Sequence, residues 1–164
     1  MLDDDRFVAR LCKYSTLDPA TRSPTVASFE FRCSPSGEWH DTYLSVDGME
    51  ILPTHDGDYP QKLARLRAYQ LANPLGVDLI RPTHQMAYAV LSVGRIRAAQ
   101  LDAVSTTLDC LEEPRAVGDT HCGVHPTPGV DHWTGDKDDP AHLAVKQYLF
   151  LHCCHDESAL PAAT

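Results

Sequence analysis

No apolar run in this chain approaches the ~20 residues that a membrane-crossing helix needs, so no such helix is expected. The opening stretch, MLDDDRF, is acidic where a signal peptide is basic and then apolar, which points to a cytoplasmic protein. Positive charge is scarce. There are 14 Lys and Arg against 23 Asp and Glu, for a formal net charge of −9. An acidic surface is repelled by phosphate backbones unless it carries a local basic patch. Lys62, Arg65 and Arg67, with Arg95 and Arg97, come nearest to one, and cations on a helix usually make a solvated face. Nucleic acid is therefore disfavoured as a partner. The chain also has no internal repeat, phosphate loop, Rossmann glycine fingerprint or nucleophile elbow. No Pro/Gly/Ser linker is long enough to divide it, so residues 1–164 are expected to form one domain.

What is there supports a packed core: 43% of residues are hydrophobic. The six cysteines, in a reducing compartment, are buried thiols or metal ligands more readily than disulfides. Residues 6–14 fit a short strand or a turn of helix. From Thr25 to Cys33, Ala27, Phe29, Phe31 and Cys33 alternate with Ser28, Glu30 and Arg32, the period of a half-buried strand. Ser34-Pro35-Ser36-Gly37 makes a turn, and residues 39–46 resume the alternation through Thr42, Leu44 and Val46. A hairpin ending at Asp47-Gly48 is predicted.

Asp58 then caps a helix over 58–72, with Leu63, Leu66 and Leu71 as its buried stripe. Residues 86–96, MAYAVLSVGRI, make a short apolar run that fits a central strand, with a buried helix as the alternative. Residues 104–111 alternate again, and 120–124 fit a further short strand. A Pro-, Gly- and Asp-rich loop is expected over 126–139. Asp139-Pro140 starts a helix to about residue 151. The order of elements predicts an α+β fold with a mostly antiparallel sheet and two main helices.

The stretch from Thr120 to Asp156 carries the chemistry. It holds six of the nine histidines and three of the six cysteines. Cys122-x-x-His125 and Cys153-x-His155 are the candidate four ligands of a structural zinc, which accepts both thiolate and imidazole. Cys154 and His152 are the substitutes. Imidazoles also suit general acid–base work near neutral pH, which makes His121 with His142 a candidate pair. Trp133, on the long loop, is the candidate anchor for a protein partner. Trp39 fits the core better.

Arg22-Ser23-Pro24-Thr25 with Ala27 and Phe29, Leu44-Ser45-Val46, Ala89 to Val93 with Ile96-Arg97, and Thr120 to Val124 together resemble a set of small bacterial proteins with no known reaction. That resemblance implies a bacterial origin and a single-domain layout. A second resemblance is to the His-Asn-His nucleases. Asp131-His132 is similar to that family's Asp-His, Asp139-Pro140-Ala141-His142-Leu143 to its Asp-Pro-x-Asn-Leu, and Cys153-Cys154-His155 to its terminal cluster. Histidine stands at 142 in place of asparagine, and the gap from 142 to 153 is longer than the family shows. This second likeness implies a metal-dependent phosphodiesterase or nuclease using His121, His125, His132 and His142. The first-ranked expectation is a non-catalytic accessory or interaction subunit of the immunity, antitoxin or scaffolding type, with zinc as its candidate cofactor and another protein chain as its partner.

Overall fold

The computed structural model describes residues 2–48, 64–66, 68, 72, 87–114 and 121–154. Its centre is a six-stranded, curled, antiparallel sheet. The strands are β1 (Phe7–Cys12), β2 (Leu44–Gly48), β3 (Ala87–Ser92), β4 (Gln100–Leu101), β5 (Thr106–Glu112) and β6 (His121–Thr127). Their order across the sheet is β3-β1-β2-β6-β5-β4. With helix α1 (Val93–Arg97) and helix α2 (Pro140–Tyr148), this is a mixed α+β fold dominated by sheet. Among the described residues no helix is long and apolar enough to cross a membrane.

The inward face of the sheet is built by alternation. Val8, Leu44, Val46, Leu91, Leu108, Cys110, Cys122 and Val124 all point into one core. β3 is buried on both sides, and Tyr88 and Val90 are as inaccessible as Ala89 and Leu91. That explains the near-continuous apolar run. The run then changes state: Ser92 ends the strand and its Oγ accepts from the Arg95 N–H at 3.3 Å, starting α1. The strand and helix readings of 86–96 each describe half of it.

α1 carries the chain from the β3 edge towards β5. Arg97 ties the two together, donating to Asp109 Oδ1 at 2.9 Å and to the Cys110 carbonyl at 2.8 Å. β1 pairs with β3 along six residues but with β2 through Ala9 and Val8 alone. Beyond that point the Arg10 side chain spans the gap, donating to the carbonyls of Ser28 at 3.2 Å and Ser45 at 2.7 Å.

The predicted strand over 25–33 is not a strand. Val26–Phe29 is a 3₁₀ turn, because Ser28 bonds back on Thr25: its N–H to the Thr25 carbonyl at 2.9 Å and its Oγ to the Thr25 N–H at 3.2 Å. Phe29 and Phe31 are still buried with Glu30 and Arg32 outward of them. The alternation therefore gave the facing of Phe29 to Arg32 correctly, that of Ala27 (exposed) and Ser28 (buried) wrongly, and the ladder wrongly. The Phe31 N–H goes to a histidine and the Arg32 N–H to Asp41, not to a neighbouring strand. The hairpin is reduced to one bridge, Cys33 with Trp39, around the Ser34–Gly37 turn. Its second arm begins at Leu44 and runs through Asp47-Gly48, where an end was expected.

Elsewhere β6 is longer than the predicted 120–124, and it consumes the start of the expected loop. The helix predicted over 58–72 lies largely outside the described residues; positions 64–66, 68 and 72 are helical, and Leu66 is buried. The tail from 155 onward also lies outside them. α2 starts where Asp139-Pro140 placed it and widens into a π-helical turn over Leu149–Cys153.

Candidate functional site

Two groups of aromatic and imidazole side chains stand out, one inside the protein and one on the outer face of the sheet. The inner group forms at the start of α2. Asp139 caps that helix, its Oδ1 accepting from the N–H groups of Ala141 at 2.8 Å and His142 at 3.2 Å. Its Oδ2 accepts from the N–H and hydroxyl of Thr134, both at 2.8 Å. Burial opposes the ionised carboxyl. The bonds from Thr134, His142 and Ala141 outweigh it and hold the pKa below the ordinary carboxylate value.

His142 follows, fully buried. Its Nε2 accepts the Phe31 N–H at 3.1 Å. Trp133 stacks on the imidazole with centroids 5.5 Å apart, while Trp39 and Phe31 meet it edge-on at 4.9 and 5.9 Å. Desolvation lowers its pKa to about 4, and the charge of Lys146 works in the same direction. Glu30, the Lys137 backbone and Asp139 oppose them and lose. The ring is thus neutral at pH 7.

Trp133 is not the exposed anchor expected of it, being only 8% exposed. The 3₁₀ turn at Val130–His132 buries Val130 and turns Asp131 and His132 outward, so the next side chain returns to the core. The loop is then fixed by Asp139 on Thr134 and by Gly135 pressed against Gly37. A Cβ on Gly135 would collide with the Gly37 backbone.

The outer group is set by β6. A strand sends alternate side chains to opposite faces, so His121, Gly123 and His125 share the face that Cys122 and Val124 leave. Tyr43, just before β2, lies against this row. Its hydroxyl is 3.2 Å from His121 Nε2, and its ring is 5.8 Å from that of His121 and 4.9 Å from that of His125. Only a glycine at 123 leaves room: a Cβ there would stand 2.6 Å from Tyr43 Cδ2 and 2.7 Å from His125 Nε2. His125 Nε2 is 2.9 Å from Glu113 Oε1, but off the direction of a complete hydrogen bond. Register places Ser45 and Leu111 on either side of Gly123, and Leu111 is 40% exposed.

The same alternation bears on the proposed zinc ligands. Cys122 faces the core and His125 the outer surface, so their spacing, normal for a loop, separates them on a strand. Cys153 is buried in the turn after α2, and its neighbour Cys154 bridges Leu91 on β3, which β1 and β2 separate from β6. His155 lies outside the described residues. Burial pushes the Cys122 thiol up, and the Cys153 thiol to about 12. Among the described residues no group of three or more His, Cys, Asp or Glu could hold a metal ion. The described members of the set do not fit one tetrahedral site.

The histidines named for catalysis are also apart. His142 is in the core, His121 is beneath Tyr43, and His132 is exposed with its Nε2 3.7 Å from Asp131. Sequence reasoning singled out His121 and His125 but missed Tyr43 and Glu113, which lie at strand ends outside the His/Cys-rich segment. Gly123, between two histidines on one strand face, was the available signal. Comparisons of this chain with family models, with curated proteins and with solved structures find no match.

Proposed function

We propose that the chain is a non-catalytic interaction subunit, cytoplasmic and of the immunity, antitoxin or scaffolding type, that docks another protein through the outer face of β2, β6 and β5. One observation carries this reading: Tyr43 and His125 close over Gly123, with His121 buried beneath Tyr43, and border the exposed Leu111. Amphipathic rings around an aliphatic centre are the composition of an interface core. Asp109 and Glu113 border it on β5 and just beyond, and the whole chain carries −9. The complementary partner surface is therefore basic.

The test is native mass spectrometry of tagged protein recovered from its own host, comparing wild type with Leu111→Arg and Leu151→Arg. Leu151 is 66% exposed at the far end of α2 and serves as the control. A partner chain should accompany wild type and the Leu151 variant and be lost from the Leu111 variant. A partner that ignores Leu111→Arg, or a turnover that fails on His132→Ala, would overturn the reading.

A further inference from the structure

Buried polar atoms without hydrogen bonds are rare, and each one asks for a cause. Among the described residues, three of the four such side-chain atoms sit in one cluster: Trp39 Nε1, Trp133 Nε1 and His142 Nδ1. The three rings touch one another, with centroids 4.9, 5.4 and 5.5 Å apart.

Their chemistry has one sign. An indole nitrogen only donates. The neutral His142 ring accepts at Nε2 from Phe31, so its proton is assigned to Nδ1, which is then a donor as well. The Lys137 backbone favours protonation of this ring without reaching hydrogen-bond geometry. Three N–H donors are thus brought together: the two indoles have no oxygen or nitrogen acceptor, and His142 Nδ1 has only the poorly aligned Lys137 carbonyl near it. Trp133 and His142 are stacked at 24°, so their in-plane N–H groups do not point at each other's faces. Lys146, one turn along α2 and 8% exposed, adds a positive charge that is felt at His142. The nearest carboxylates are engaged: Glu30 lies 3.3 Å from Lys137 Nζ, and Asp139 is taken up by Thr134 and the helix N–H groups.

We propose that the Trp39–Trp133–His142 cluster is a binding site for a small carboxylate, received by the two indole N–H groups and His142 Nδ1–H. The guest has acceptors and no donors, which is what the site lacks. Its charge faces Lys146, and its short apolar part meets the aromatic walls. Trp39, the half-buried member, is where the cluster meets solvent. The site is separate from the outer docking face and does not depend on it.

The chain has only two tryptophans, so both indole signals of a ¹⁵N-labelled sample report on this cluster. Wild-type protein is titrated with sodium acetate at constant ionic strength, and in parallel with methyl acetate. Acetate should move both indole N–H signals downfield along one saturation curve, and methyl acetate should not. Trp133→Phe keeps a ring and removes one donor. It should weaken acetate binding about tenfold or more, the loss expected of one charge-assisted bond. The wild-type titration decides the matter even if that variant folds poorly. Unmoved signals that exchange magnetisation with a long-lived water would assign the donors to that water and overturn the proposal. Unmoved signals lying upfield would assign them to N–H···π contacts and also overturn it. An equal response to methyl acetate would make the guest a neutral carbonyl, against the proposal.

Discussion

At the scale of single residues, His142 couples protonation to folding. Its folded pKa of about 4 lies below the ordinary 6.5. A depressed histidine contributes stability that is complete above the unfolded value and declines as pH falls towards the folded one, because only the unfolded chain takes up the proton in between. The gap is worth about 3 kcal/mol. Urea midpoints measured from pH 7 down to pH 4 should fall by a corresponding amount in wild type. In His142→Gln, whose side-chain oxygen still accepts from Phe31, the fall should be clearly smaller. Equal slopes in the two proteins would show that another group sets the dependence. The same residue marks where sequence reasoning stopped. An exposed catalytic imidazole and a buried structural one share the surroundings Asp-Pro-x-His. Only the arrival of Phe31 and Trp39, more than a hundred positions earlier in the chain, separates them.

At the scale of elements, the strongest local signals in the sequence correspond to real structure. Asp139-Pro140 starts α2, and the alternation over 104–111 becomes β5 with Thr106, Leu108 and Cys110 inward. The removal of the cap is a measurable loss. Asp139→Ala deletes bonds to the helix and to Thr134 together and should lower stability by about 2 kcal/mol, while Asp139→Asn keeps the cap and should recover part of it. Chemical denaturation of the three proteins checks the order. Gly135→Ala should cost more than about 2 kcal/mol, because the obstacle is the Gly37 backbone and Gly37 itself is held at φ +89°. Gly123→Ala meets only side chains. It should cost about 1 kcal/mol in the same assay while displacing Tyr43 and weakening the proposed docking.

What was not legible is equally physical. The facing of Phe29 and Phe31 followed from period two, but a period cannot say whether backbone N–H groups find a strand. Here Thr25, Ser28, Asp41 and His142 supply the alternative partners. The metal-like spacing of Cys122 and His125 had the converse fault. The strand was expected to stop at 124, before His125, and pairing with β2 and β5 carries it on to Thr127, dividing the two side chains between faces. Trp133 looked exposed because its loop is polar, yet one 3₁₀ turn brings residue i+3 back to the side of residue i, so Trp133 follows Val130 into the core.

At the scale of the whole molecule, the thiols offer a test of how cooperatively the sheet and the long helix hold together. Cys12, Cys110, Cys122 and Cys153 are buried, on β1, β5, β6 and the end of α2 respectively, whereas Cys33 and Cys154 are partly accessible. Desolvation raises all four buried thiols, Cys110 and Cys153 to about 12. At pH 8 the thiolate fraction at those two is on the order of one in ten thousand, so they react with an alkylating reagent only when the structure opens. Their packing is shared: Cys153 lies in the same core cluster as Cys12, Cys110 and Cys122, and Cys154 is bridged to β3. Labelling with iodoacetamide through a urea transition, read by intact mass, should therefore show two populations, one carrying up to two labels and one carrying six. A third population with three labels, Cys153 having joined the accessible pair, would mean that the end of α2 detaches while the sheet persists. The shared core would then be two units rather than one.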